Sequence, residues 1–218
     1  MLKKLTEDKL AEVLEVGIEE FAEKGLDGAN VNLIAKKANI SVGVLYKYYE
    51  NKEVFFQACL KKSLSVLESV LHDVVVCEDK ILVRAEKMIR AVQRCSREYN
   101  NYIKMYNAIT SGSGKKYALL YAKEIESLTA KVYTEFIEKA IKDGDIRSDI
   151  NPRMFAFFFD NLLTMLQFSY CCDYYLERAK IYCGEDFLND EEKVVTELLK
   201  FLESAFTFSK SEIVHKSS

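Results

Sequence analysis

Residues 31–49 read Val31-Asn32-Leu33-Ile34-Ala35-Lys36-Lys37-Ala38-Asn39-Ile40-Ser41-Val42-Gly43-Val44-Leu45-Tyr46-Lys47-Tyr48-Tyr49. Val31, Ile34, Ala35 and Ala38 repeat at the spacing of one buried helical stripe, and Val42, Leu45, Tyr46 and Tyr49 do so again. Asn30 and Ser41 stand where each stripe begins, and their side-chain oxygens suit the cap position. Asn39-Ile40 leaves room only for a tight turn between them. Two short amphipathic helices joined so closely form a helix-turn-helix, whose second helix can enter the major groove and meet its base edges. The outward positions of that helix are Ser41, Gly43, Val44, Lys47 and Tyr48. Gly43 and Val44 allow close approach, and a valine methyl can touch a thymine methyl.

Working outward, Leu10, Val13, Leu14, Gly17, Ile18, Phe21 and Ala22 form the buried stripe of a longer preceding helix. Gly25 is expected to end that helix in the left-handed conformation, with Asp27, Gly28 and Ala29 as a short connection. The whole chain carries a net charge of -3, yet residues 36–52 hold four lysines against Glu50, a local balance of +3. A nucleic-acid footprint would therefore be narrow and centred on this segment. Lys36 and Lys37 taken alone read as a solvated helix face.

These residues together resemble the TetR family of helix-turn-helix transcriptional regulators. The likeness runs from Phe21-Ala22-Glu23-Lys24-Gly25 through Ile34-Ala35-Lys36-Lys37-Ala38 and Ser41-Val42-Gly43-Val44-Leu45-Tyr46-Lys47-Tyr48-Tyr49 to Asn51-Lys52-Glu53, about the first quarter of the chain. It implies that Tyr46 and Lys52 hold phosphates, while Asn32, Val42, Gly43, Val44, Lys47 and Tyr48 face bases or backbone. Asn30 stands where a threonine or serine cap is common, which keeps the cap chemistry. Asn32 takes a position often held by arginine, exchanging a guanine contact for an adenine contact. Leu33 replaces a charged residue. The resemblance further implies a ligand-binding and dimerisation domain of about six helices after residue 52.

The expected fold is all-α: a three-helix DNA-binding domain over residues 1–52, a ligand-binding and dimerisation domain over 53–210, and a frayed tail over 211–218. One proline and eight glycines among 218 residues leave little material for turns. Long helices are expected at 52–76, 79–99, 101–110, 115–142, 152–180 and 186–209, with polar breaks between them. Residues 155–168 are apolar all round, so that helix must be covered on two sides. One face runs Phe155, Phe159, Leu162 and Leu166; the other runs Phe158, Asn161, Met165 and Phe168. With the apolar helix Val194, Val195, Leu198, Leu199, Phe201, Leu202, Ala205 and Phe206, it offers a four-helix interface between two copies. A homodimer would match a palindromic operator on double-stranded DNA.

Tyr102, Met105, Tyr106, Ile109, Tyr117, Tyr121, Phe158, Asn161 and Phe168 could line a pocket for a small, largely apolar effector, or could be plain aromatic core. Asn161, an amide in an apolar run, needs a partner: a ligand, a symmetry mate or a backbone carbonyl. The resulting reading is a repressor released by a small molecule; the alternative gives the large domain a protein partner instead. No Gly-rich phosphate loop, metal-ligand cluster or helix-borne His-Glu pair is present, so neither an enzyme nor a cofactor or metal site is expected. The six cysteines lack a CxxC pair and read as reduced, cytosolic, structural thiols, Cys171, Cys172 and Cys183 included. His72 and His215 read as surface residues. With no run of eighteen apolar residues and no apolar leader, the chain reads as a cytoplasmic protein without a membrane segment.

Overall fold

The computed structural model describes residues 4–75, 80–110 and 115–207. The breaks expected at 77–79 and 111–114, the tail with His215, and the side chains of His72 and Tyr117 lie outside the described residues. Among them the chain is all helical and has no strand. The helices are α1 (Glu7–Gly28), α2 (Val31–Lys37), α3 (Val42–Tyr49), α4 (Lys52–Val75), α5 (Ile81–Glu98), α6 (Asn100–Thr110), α7 (Lys115–Lys142), α8 (Pro152–Cys171), α9 (Asp173–Cys183) and α10 (Glu191–Thr207), with one 3₁₀ turn at Glu185–Leu188.

The packing divides the chain into two compact units, residues 1–69 with 99–121, and residues 70–98 with 122–218. In the first unit α6 packs on α1, so this unit holds more than the three N-terminal helices. Its core is built from Val13, Ile18 and Phe21 of α1, Ile34 and Ala35 of α2, Leu45 of α3 and Phe55, Phe56 and Leu60 of α4, with Ile103 and Met105 of α6. Phe21 lies edge-on to Phe56, centroids 5.2 Å apart, and tilts against Phe55 at 5.6 Å. Gly17 lets the helices close: a Cβ there would stand 2.4 Å from Phe55 Cζ and 2.8 Å from Cys59 Sγ. No larger residue fits without pushing α4 from α1.

The second unit packs α5, α7, α8 and α10 around Met88, Ile89, Tyr133, Phe136, Ile137, Phe159, Leu163, Val195 and Phe206. The first α8 stripe behaves as the sequence suggests: Phe159 is buried, and Phe155, Leu162 and Leu166 pack half-buried against the cluster. Asn151 caps α8 by accepting from the Met154 N–H at 3.1 Å, with Pro152 at the first helical position, where its missing N–H costs nothing. The buried Gln93 amide donates to Tyr170 Oη at 3.1 Å and to the Glu191 carbonyl at 3.0 Å, tying α5 to α8 and to the start of α10. Arg90 braces the same join from outside, reaching both Glu86 and Glu192.

Three expected elements differ. The helix expected over 152–180 breaks at Cys172, whose backbone is extended (φ -118°, ψ 124°). Neither glycine nor proline marks the break. It is held by packing, with Cys172 buried and the rings of Phe168 and Tyr175 meeting across it at 5.3 Å. The last expected helix, 186–209, splits into the 3₁₀ turn and α10. Gly25 does adopt the left-handed region (φ 67°), yet one further helical turn follows it through Gly28, where a short connection was expected.

Candidate nucleic-acid interface

Two side-chain caps set the helix-turn-helix. Asn30 Oδ1 accepts from the N–H groups of Asn32 (3.0 Å) and Leu33 (3.3 Å), and Ser41 Oγ accepts from that of Val44 (3.2 Å). Between the helices Asn39 takes φ 48°, a region that asparagine tolerates at low cost, and the Ile40 N–H returns to the Ala35 carbonyl at 2.9 Å. A tie invisible in the sequence pattern completes the frame. Glu20 is buried, and its Oε1 accepts the Asn30 N–H at 3.0 Å, anchoring the start of α2 to α1. No local spacing signals it, because the chain passes Gly25 before the two residues meet.

This frame sorts the face of α3. Leu45 is fully buried and fixes its roll; Gly43 and Lys47 are exposed, while Val42, Val44, Tyr46 and Tyr48 are half-buried. Asn32 is exposed at the start of α2, beside the exposed Leu33. Lys36 and Lys47 have no ion-pair partner among the described residues, whereas Lys37 lies 3.4 Å from Glu19. Lys52, expected on a phosphate, donates to the Asp27 carbonyl at 3.0 Å and so holds the start of α4 against the end of α1. The Tyr48 hydroxyl, expected on DNA, accepts the Leu5 N–H at 2.7 Å.

The residues named for an effector pocket fall in both compact units. In the first unit Tyr102 is buried, and its hydroxyl donates to Glu15 at 2.6 Å, where Lys62 also arrives at 2.9 Å; Tyr106 and Tyr121 are half-buried. Burial, together with the Glu15 carboxylate, pushes the Tyr102 phenol above its usual range. In the second unit Phe168 is buried against Tyr175, whereas Phe158 and Asn161 are exposed. Asn161 finds its partner in the Phe157 carbonyl one turn back, at 2.7 Å. Phe158 and Asn161 lie with Phe157, Met165 and Phe201 along an open, strongly apolar groove of about 590 Å³ between α8 and α10. Phe157, Phe158 and Phe201 are each more than half exposed, an unusual apolar surface for a chain standing alone.

Cys59, Cys95, Cys171 and Cys172 are buried, and Cys183 is exposed. Burial pushes the Cys59 and Cys95 thiols up, so neither offers a thiolate. Among the described residues no cluster of histidine, cysteine and acid could hold a metal ion, and no helix is long and apolar enough to cross a membrane.

A capped helix-turn-helix with an exposed second helix, followed by a larger helical unit, defines the class of helix-turn-helix transcription regulators. Residues 13–59 match the family model described as bacterial regulatory proteins, tetR family. The repressor KstR2 of Rhodococcus jostii is 24% identical over 143 residues, spanning 66% of this chain and 70% of that protein. The structure of the ketosteroid transcriptional regulator KstR2 of Mycobacterium tuberculosis superposes with a TM-score of 0.67 at 18% identity, covering 94% of this chain and 98% of that one. AibR, solved with isovaleryl coenzyme A and operator DNA, gives a TM-score of 0.59 at 20% identity over 74% of this chain and 85% of that one. Residues 13–59 therefore carry the DNA-binding module of tetR-family regulatory proteins, and the protein is a DNA-binding regulator.

Proposed function

We propose that this regulator is a cytoplasmic repressor that binds a palindromic operator as a homodimer and is released by a small, largely apolar effector. The observation that carries the DNA reading is the exposed edge of α3, where Gly43 and Lys47 project from a helix fixed by the Ser41 cap and the buried Leu45. Gly43 and Val44 admit the groove edge, Lys47 supplies charge, and Asn32 can pair with an adenine. Val42, Tyr46, Tyr48 and Lys52 complete the contact set, with Lys52 exchanging the Asp27 carbonyl for a phosphate. Phosphate contacts set register and base contacts choose sequence.

The apolar α8–α10 groove supports the dimer. Covering Phe157, Phe158, Met165 and Phe201 with the same face of a second copy makes a four-helix, two-fold interface. Phe158 and Asn161 then also serve the partner copy, and Tyr102, Tyr106, Tyr121 and Phe168 keep the effector role with them. AibR was solved with a thioester bearing a short apolar acyl group, which supports an effector of that kind here. Only Glu50 and Asn51 separate the recognition helix from α4, so an effector that favours one setting of α4 would change the spacing of the two recognition helices.

The test follows the anisotropy of labelled operator DNA bound by the protein during titration with acyl-coenzyme A thioesters, the free acids and steroid acids. Release by one class at micromolar concentration is expected. Retention of DNA against every class would overturn the effector role while leaving DNA binding intact.

A further inference from the structure

The hydrogen bond from the Leu5 N–H to Tyr48 Oη, 2.7 Å long, joins residues 43 positions apart. It fastens the chain ahead of α1 to the last turn of the recognition helix. Leu5 is half-buried there, and α1 starts only at Glu7, after Thr6 caps it by accepting from the Lys9 N–H. The next residue outward, Lys4, is exposed and has no ion-pair partner among the described residues. Its Cα is about 3.8 Å from that of Leu5, so its ammonium, on a flexible four-carbon stem, starts one residue from the tether to Tyr48 on α3. The nearest acids in sequence, Glu7 and Asp8, occupy the first turn of α1, where they complement the positive end of that helix.

We propose that this pre-α1 segment is a DNA-binding arm: Tyr48 holds Leu5, and Lys4 contacts an operator phosphate outside the helix-turn-helix. The inference rests on the operator-binding reading and adds a contact to it. Tyr48 thereby gains a second role, as the acceptor that positions the arm. Each phosphate neutralised by a lysine releases condensed counterions and steepens the dependence of affinity on salt by about 0.9 in log–log slope.

The experiment measures binding of the full chain to a duplex that the wild-type protein has enriched from random sequence, at several salt concentrations. In a dimer, Lys4→Gln is expected to reduce the salt slope by about 1.8 and to weaken binding at 0.1 M salt by about eightfold per arm. Leu5→Pro removes the N–H donor while leaving Lys4 and Tyr48 in place, and is expected to weaken binding in the same direction. Lys61→Gln makes the same change in net charge about 13.5 Å along α4 from Lys52 and is expected to match wild type. An unchanged slope in Lys4→Gln, with wild type binding normally, overturns the arm alone. An equal loss in Lys61→Gln overturns it in favour of net charge, and an unaffected Leu5→Pro overturns the tether. Failure of wild type to enrich or bind any duplex overturns the operator reading, and the arm with it.

Discussion

Replacing Asp160 by asparagine should stabilise the protein, by an amount that depends on pH in one direction only. Asp160 follows the buried Phe159 on α8, against which the buried ring of Tyr133 packs edge-on at 5.4 Å. The carboxylate has no hydrogen bond or ion pair among the described residues. Burial, aided by the like charge of Glu126, raises it from its ordinary 3.8 to about 6. The native state therefore holds the proton more tightly than the unfolded chain. Both states are protonated below about pH 4, the unfolded chain alone ionises as pH climbs toward 6, and above that the full cost of the buried charge is present. At about 1.4 kcal/mol per tenfold change in proton affinity, that cost is roughly 2–3 kcal/mol at pH 8 and falls below about 1 kcal/mol near pH 4. An amide of nearly the same shape avoids it. Urea unfolding followed by helical circular dichroism, at fixed protein concentration from pH 4 to pH 8, should show Asp160→Asn gaining stability progressively over wild type. A gain independent of pH, or a variant less stable than wild type at pH 8, would show that the Asp160 charge carries no such cost.

Other substitutions address the DNA-binding unit and the dimer face. Gly17→Ala forces a Cβ against Phe55 and Cys59 and should cost about 1–3 kcal/mol in chemical unfolding, whereas Gly28→Ala, whose nearest neighbour is 3.5 Å away, should leave stability unchanged within about 0.5 kcal/mol. Tyr102→Phe removes the 2.6 Å bond to Glu15, which keeps Lys62 and is half open to water, so the loss should be about 1 kcal/mol by thermal melting. Ser41→Ala deletes the cap of the recognition helix and should lose about 1 kcal/mol of stability, together with operator affinity, in parallel denaturation and anisotropy titrations. Phe158→Arg places a cation in the apolar α8–α10 groove and should leave a folded monomer in sedimentation velocity, with operator affinity lost.

The helix-turn-helix was legible because everything that defines it is local. Asn30 and Ser41 sit at fixed distances from the N–H groups they cap, the stripes repeat within single helices, and Asn39 can take the left-handed turn. The apolar character all round α8 was equally legible, since it follows from composition within one helix. What the sequence concealed depends on long-range packing. Nothing near Cys172 announces a break, because the rings of Phe168 and Tyr175 and the burial of Cys172 hold it. Placing Phe158, Asn161 and Phe168 on one face was sound helical arithmetic, yet Phe168 lies near the end of α8 under Tyr175 while the other two remain open. The Glu20 tie to Asn30, the Leu5 bond to Tyr48 and the packing of α6 on α1 join residues too far apart for periodicity to report.

In the proposed complex two copies of this chain read a two-fold DNA sequence through α3. The most direct measurement selects duplexes from random sequence with the full-length protein and then determines the mass of the complex on the selected duplex. Enrichment of a palindrome is expected, with half-sites about one helical turn, roughly 34 Å, apart, bound by two chains and lost in Phe158→Arg. No enrichment at low salt, or one chain bound stably to an asymmetric site, would contradict it.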